Sequence, residues 1–161
     1  MTTERIADHV KFAYWVPNVS GGLVTSTIEQ RTDWNYDYNA KLARTAENNG
    51  FEYALSQVRY EASYGAEYQH ESTSFSLALL LATERLKVIA AVHPGLWQPA
   101  VLAKLGATAD QISGGRFAVN VVSGWFKDEF THLGEPWLEH DERYRRSAEF
   151  LQVLRKIWTR S

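Results

Sequence analysis

The 161 residues include no cysteine. That excludes disulfide staples, thiolate metal ligands and a thiol nucleophile, and it suits a cytosolic protein. No charge of one sign dominates. Seventeen Lys and Arg stand against 19 Asp and Glu, a formal net charge of −2. With no basic stripe, a nucleic-acid binder is not expected. No apolar run approaches the roughly 20 residues that a membrane-spanning helix needs, so no membrane partner is expected. Residues 1–10 are polar and carry no apolar signal core. Repeats, low-complexity tracts and obvious linkers are absent. So are the common short signatures: no Gly-rich loop leads to a phosphate-binding Lys, no dinucleotide fingerprint follows the first strand, and no paired-His helix appears. Ser123-Gly124 has no Gly two residues before the Ser, so it is not a nucleophile elbow.

What is present is a regular alternation. Apolar residues make up 45% of the chain and six are Trp, enough for the core of one domain. Residues 12–16, 51–55, 87–92 and 116–122 read as strands, nearly continuous in apolar residues as strands covered on both faces are. A helical pattern follows each. The first places Trp34, Tyr38, Leu42 and Ala46 four apart and stops at Gly50. The second covers 72–82. The third starts at Pro99 and ends before Gly114-Gly115. The fourth runs over 141–158 with Ala148, Leu151, Leu154 and Trp158 as its apolar stripe. The order βαβαβαβα predicts a parallel sheet with helices outside it. Helix-to-strand returns are short, whereas the strand-to-helix segments 17–32, 56–71 and 123–140 are long. Long loops at the carboxyl ends of parallel strands are where α/β folds keep their sites.

The polar residues at those ends are the candidates. Asn120 sits in the β-branched run Val119-Asn120-Val121-Val122. A buried amide is costly without partners. Its partners are either a neighbouring strand or a ligand beyond the strand end. Asn18, Gln57, Arg59, His70, His93, Ser123, His140 and Tyr144 fall at similar places, among Trp15, Trp97, Trp125 and several Tyr. An aromatic-rich cleft with few ionised groups suits a flat, partly apolar ligand. Simpler roles stand beside these: His93 before Pro94 caps a turn, His70 caps a helix, Tyr144 packs. A second chemistry is also open, a metal-dependent hydrolase on a barrel end, with His70, Glu71, His93 and His140 as ligands.

Longer segments carry a resemblance. Phe12-Ala13-Tyr14-Trp15-Val16-Pro17-Asn18, Tyr64-Gly65-Ala66-Glu67, Gln69-His70-Glu71-Ser72, Pro94-Gly95-Leu96-Trp97-Gln98-Pro99 and Gly114-Gly115-Arg116 occur in order. Asn120-Val121-Val122-Ser123-Gly124-Trp125-Phe126 and the run from Trp137 to Tyr144 follow. Across residues 10–159 the chain resembles the bacterial luciferase-like, reduced-flavin-dependent monooxygenases, most closely their dimethylsulfone branch, with the alkanesulfonate enzymes as near relatives. The resemblance implies a TIM (β/α)8 barrel of which residues 11–161 form the amino-terminal half; residues 1–10 are a polar amino-terminal segment before it. It implies FMN, used as FMNH2 with O2 as cosubstrate, and oxidative cleavage of a C–S bond in a small sulfone. A separate NAD(P)H-dependent FMN reductase would supply the reduced flavin. Ala90, Ala91, Asn120, Ser123, His140 and Tyr144 would bind the cofactor. Gln57 and His70 would be the catalytic residues, and Trp15, Trp97 and Trp125 would face the substrate. His70 falls near a position where alkanesulfonate enzymes place a functional Cys, a role this chain cannot fill intact. A full barrel takes about 250 residues and eight strands. Four βα units therefore imply either part of a longer chain or half-barrels that associate as a homo-oligomer.

Overall fold

A computed structural model describes residues 10–159, apart from 25 and 64. Residues 1–9, and with them nearly all of the expected polar amino-terminal segment, lie outside the described residues, as does Tyr64. Four parallel strands form one sheet in the order β1 (Ala13–Val16), β2 (Tyr53–Ser56), β3 (Lys87–Val92) and β4 (Phe117–Val121). The crossovers carry α1 (Tyr36–Asn48), α2 (Ser72–Ala82) and α3 (Pro99–Ser113), and α4 (Lys127–His132) and α5 (His140–Thr159) follow β4. This is the expected alternation, half the strand count of a closed eight-stranded barrel. No described helix is long and apolar enough to cross a membrane.

Local chemistry sets the helix ends. The Asn35 side chain accepts the Tyr38 amide at 2.8 Å and starts α1. Glu71 accepts from the amides of Thr73 and Ser74 at the start of α2. Gln98 caps α3 through the Val101 amide, with Pro99 in the first turn, where a missing N–H costs nothing. Gly114 ends α3 in the left-handed region at φ 66°. These signals are why α2 and α3 match the sequence expectation residue for residue. The strands other than β3 are shorter than expected by one or two residues, and Phe12 stands exposed before β1.

Three expectations need correction. First, α4 interrupts the segment read as a continuous loop over 123–140; its charged sequence Lys-Asp-Glu-Phe-Thr-His carries no readable apolar period. Second, the buried face of α5 is Ser147, Phe150 and Leu154, while Ala148, Leu151 and Trp158 are exposed. Ser147 turns inward because its hydroxyl bonds Ser123 Oγ at 2.8 Å and the Arg143 carbonyl at 3.0 Å. Phe150 and Leu154 then pack on Val92, Leu102 and Ala103. Third, α1 buries Asn39, Ala40, Ala43 and Ala46 rather than the expected four-residue stripe, of which only Ala46 is fully buried. Trp34 precedes that helix.

The main core lies between sheet and helices: Val16, Ala54 and Val88 from the strands, Ala43 from α1, and Phe75, Leu79 and Leu80 from α2, with Leu86 just before β3. The other face is far less covered. In the row Trp15–Leu55–Ile89–Ala118 none is fully buried, and Trp15 is 59% exposed. A barrel's interior would lie on this face.

Candidate active site

Alternation along the strands decides what faces this inner side. Trp15, Leu55, Gln57, Ala91, His93, Asn120 and Val122 step by twos along four neighbouring strands and line one cleft at their carboxyl ends, closed by Arg59 and Trp125. The cleft is shallow and open to solvent on the side away from the strands.

The long loops around it are tied down. Asn18 is fully buried after β1. Its Oδ1 accepts the Gln57 amide at 2.9 Å, and its Nδ2 donates to the Gln57 carbonyl at 2.9 Å and the His70 carbonyl at 3.3 Å. One amide thereby joins the loop after β1 to both ends of the loop after β2. Asn39 adds a bond from α1 to the Pro17 carbonyl.

Within this frame several polar groups await a partner. Gln57 donates to the Val16 carbonyl at 3.2 Å, yet its Oε1 is buried with no hydrogen bond. Arg59 is 7% exposed, and its Nε is likewise buried and unpaired. Its guanidinium lies 4.5 Å from the Trp125 ring centre and 5.7 Å from that of Phe126, a cation–π wall. Asn120, expected as a buried amide, is instead exposed on the cleft wall, where its side chain is open to solvent. Unpaired buried donors and acceptors are rare in native proteins and mark a missing partner.

Behind Arg59 lies a buried acid. Glu129, from α4, is fully buried, accepts the Tyr60 amide at 2.5 Å and faces His93 Nε2 at 3.4 Å. Burial alone would raise its carboxyl. The His93 hydrogen bond, the Tyr60 amide and the charges of His93 and Arg59 outweigh it and hold the group below the usual carboxylate range. Burial, with Glu71 and Glu129 nearby, pushes the Tyr60 phenol up. Nothing in the sequence pattern singles out Glu129. The available signal is one acid beside Phe130 in a polar helix, too slight to identify it.

The structure brings some expected site residues together and separates others. Gln57, Ala91, Asn120, Trp15 and Trp125 share the cleft. Ala90 is fully buried in the row with Val16, Ser56 and Val119, one residue out of phase with the cleft row. His70 and Gln57 share Asn18 through their backbones, but the His70 ring lies outside the cleft, between Phe75 at 4.5 Å and Trp34 at 4.8 Å. Trp97 packs against the second core cluster, built from Val92, Leu102, Ala103, Phe150 and Leu154. Ser123 lines a smaller space with Pro94, Trp137, Arg143 and Arg146. His140 and Tyr144 are exposed at the start of α5, their rings 4.8 Å apart. Among the described residues no three His, Asp or Glu gather as a metal site, so His70, Glu71, His93 and His140 do not converge as the hydrolase reading requires.

Comparison with known proteins gives a consistent result. A family model described as luciferase-like monooxygenase matches residues 10–161. The chain is 70% identical over 150 residues to an FMNH(2)-dependent dimethylsulfone monooxygenase of Pseudomonas putida, covering 93% of this chain and 41% of the relative. It is 33% identical over 151 residues to a pyrimidine monooxygenase RutA of a Bradyrhizobium species, covering 89% of this chain and 42% of that one. The fold is similar to that of an EDTA monooxygenase from Chelativorans, with a TM-score of 0.79 at 20% identity over 92% of this chain and 38% of the other. The chain thus spans about two fifths of the length of the relatives it matches.

Proposed function

The chain belongs to the luciferase-like monooxygenase family, and from that premise we propose that it forms part of a reduced-flavin-dependent monooxygenase that cleaves a C–S bond in a small sulfone. The observation that carries the reading is 70% identity across 150 residues to an enzyme named for that activity. The cleft supports it independently. Its buried unpaired groups, Gln57 Oε1 and Arg59 Nε, and the exposed Asn120 amide beside them suit the carbonyl and ring N–H groups of a flavin. Ala91 leaves room for a flat ring at β3. The loop residues Ser123, His140 and Tyr144 would serve the ribityl and phosphate end.

Bound reduced flavin would supply two electrons and the activation of oxygen. The chain's own residues would orient and shield. Asn120 and Gln57 would set the ring by hydrogen bonds. Arg59, held against Trp125, would place a fixed positive charge by the cleft. Trp15 and Trp125 would keep water away, since a wet site diverts oxygen to hydrogen peroxide. For dimethylsulfone the balance is one sulfone, one O2 and one FMNH2 giving methanesulfinic acid, formaldehyde, water and FMN. One C–S bond breaks, one oxygen atom ends in formaldehyde and the other in water. A separate NAD(P)H-dependent reductase would return FMN to its reduced form, and the intact enzyme would work as a homo-oligomer.

The test is product analysis on the intact protein with FMN, an NAD(P)H-dependent reductase and dimethylsulfone. Methanesulfinate and formaldehyde in equal amounts are expected. Reduced flavin consumed with no sulfinate would remove the sulfone assignment. Sulfite released from an alkanesulfonate instead would move the protein to that branch.

A further inference from the structure

The loops after β1 and β2 are joined side by side, and His70 stands at one end of the join. Val19 and Gln69 form an antiparallel bridge. The Ser20 amide donates to the Tyr68 carbonyl at 2.8 Å, and Ser20 Oγ accepts the amides of Glu67 and Tyr68. Gly21, at φ 66°, approaches so closely that a Cβ there would lie 2.7 Å from the Gly65 carbonyl oxygen. The His70 amide donates to the Asn18 carbonyl at 2.9 Å. Asn18 in turn holds the Gln57 amide and carbonyl, at 2.9 Å each. A path of hydrogen bonds therefore runs from the His70 backbone through Asn18 to Gln57, whose side chain lines the cleft.

Ring contacts hold the far end of that path. The His70 ring stacks on Phe75 of α2 at 4.5 Å, with an angle of 8° between the planes. Phe75 is itself part of the main core. On the other side Trp34, just before α1, lies 4.8 Å from His70 and stacks on Tyr68 at 5.4 Å. Four rings from three segments thus close the loop pair. His70 Nε2 is buried and finds no hydrogen-bond partner among the described residues. The ring makes these contacts through its faces, not through that nitrogen.

We infer that His70 is a positioning residue: its ring, packed between Trp34 and Phe75, latches the loops after β1 and β2 and so fixes its own backbone, which through Asn18 sets Gln57 in the cleft. The latch needs a flat face of that size. Phe supplies the face and leaves no buried nitrogen unpaired. Ala leaves a gap between Trp34 and Phe75, and the path to Gln57 then ends in a loose segment. The consequence for cofactor binding rests on the flavin reading above, in which Gln57 bonds the ring system; the latch itself does not.

The test uses the intact protein with His70→Ala and His70→Phe, read by amide hydrogen exchange and by FMN titration with fluorescence quenching. In H70A the Gln57 amide is expected to exchange at least about tenfold faster than in wild type, while amides within β3 keep their protection. The FMN Kd is expected to rise about five- to tenfold. H70F is expected to match wild type in exchange and to stay within about twofold of it in Kd. In a Gln57→Leu background H70A is expected to weaken FMN binding no further, because the group it positions is gone. Where H70A does not fold, His70→Leu, which fills the gap without a flat face, takes its place. An unchanged Gln57 amide in H70A overturns the latch. Additive losses of affinity in the double variant overturn the positioning role. Loss of turnover in H70F, with exchange and affinity intact, overturns it too, by showing that the ring nitrogen takes part in the reaction. Absence of FMN binding in the wild type counts against the flavin reading instead, and the latch then stands or falls on the exchange of the Gln57 amide.

Discussion

Replacing Asn120 with Leu separates folding from binding. Asn120 lies on the cleft wall in β4, where its side chain is open to solvent. Its backbone pairs with β3 opposite Ala91 whatever the side chain is. Leu is close in volume and suits a strand. Away from buried contacts, such changes lie within about 0.5 kcal/mol of neutral. The cost falls on the ligand. One or two amide hydrogen bonds to FMN would be lost, and a polar group of the ring would meet a methyl. That is about 1–3 kcal/mol, or roughly ten- to a hundredfold in Kd. Fluorescence titration with FMN gives the affinity, and a thermal melt of the apoprotein gives the stability. A melting temperature within a degree or two of wild type, with a Kd at least about tenfold higher, is expected. An unchanged Kd would refute the reasoning and leave Asn120 without a ligand. A large loss of stability with unchanged affinity would refute it differently, by showing that the amide serves the fold.

Asn18→Ala deletes two buried hydrogen bonds and one part-buried one, and removes the partner of the Gln57 amide and carbonyl. It is expected to cost about 2–4 kcal/mol, read as a lower urea midpoint, and a shift under about 0.5 kcal/mol would show that water replaces the side chain. Glu47 accepts the amides of Glu84, Arg85 and Leu86 at the turn into β3. Although burial pushes its carboxyl up, those bonds and the Arg85 charge hold it below the ordinary range. Its folded pKa being depressed, its contribution is present above the unfolded value and lost as pH falls through the folded one. Wild type should therefore exceed Glu47→Gln in stability at pH 7, and the gap should close below about pH 4; a gap constant with pH would refute the charge-based account. Among the described residues β1 and β4 are each paired on one side only, beside an exposed inner face, so the 161-residue chain is expected to associate. Light scattering coupled to size exclusion checks this, and a monodisperse 18.4 kDa species with a cooperative melt would contradict it.

What the sequence discloses follows from how local each cause is. β3, α2 and α3 are readable to the residue because their boundaries are set by neighbours in the chain: Glu71 and Gln98 as caps, Pro99 in a first turn, Gly114 in the left-handed region. Hydrophobic periodicity is weaker where polar chemistry decides burial. Ser147 faces inward on the strength of two hydroxyl bonds, and that rotates α5 away from its apolar stripe. The cleft is legible wherever alternation alone gathers it, as for Trp15, Gln57, Ala91 and Asn120.

The interior of that site obeys a different rule. Tyr60 and Glu129 stand 69 residues apart, and His93 and Val122 stand 29 apart. No window of sequence contains either pair. Each residue alone has an ordinary explanation: a histidine before a proline, an acid on a short charged helix, an arginine in a loop. The parallel sheet makes them one unit, by bringing the carboxyl ends of β2, β3 and β4 side by side so that three loops share one buried volume. Once there, the charges constrain one another. His93, the Tyr60 amide and Arg59 hold the Glu129 carboxyl below its ordinary range against the effect of burial, and Arg59 lies against Trp125 and Phe126 on the loop that leads to Glu129. A substitution at any one of them is therefore expected to act on the others, and double-mutant cycles over His93 and Arg59 should show coupling rather than additivity.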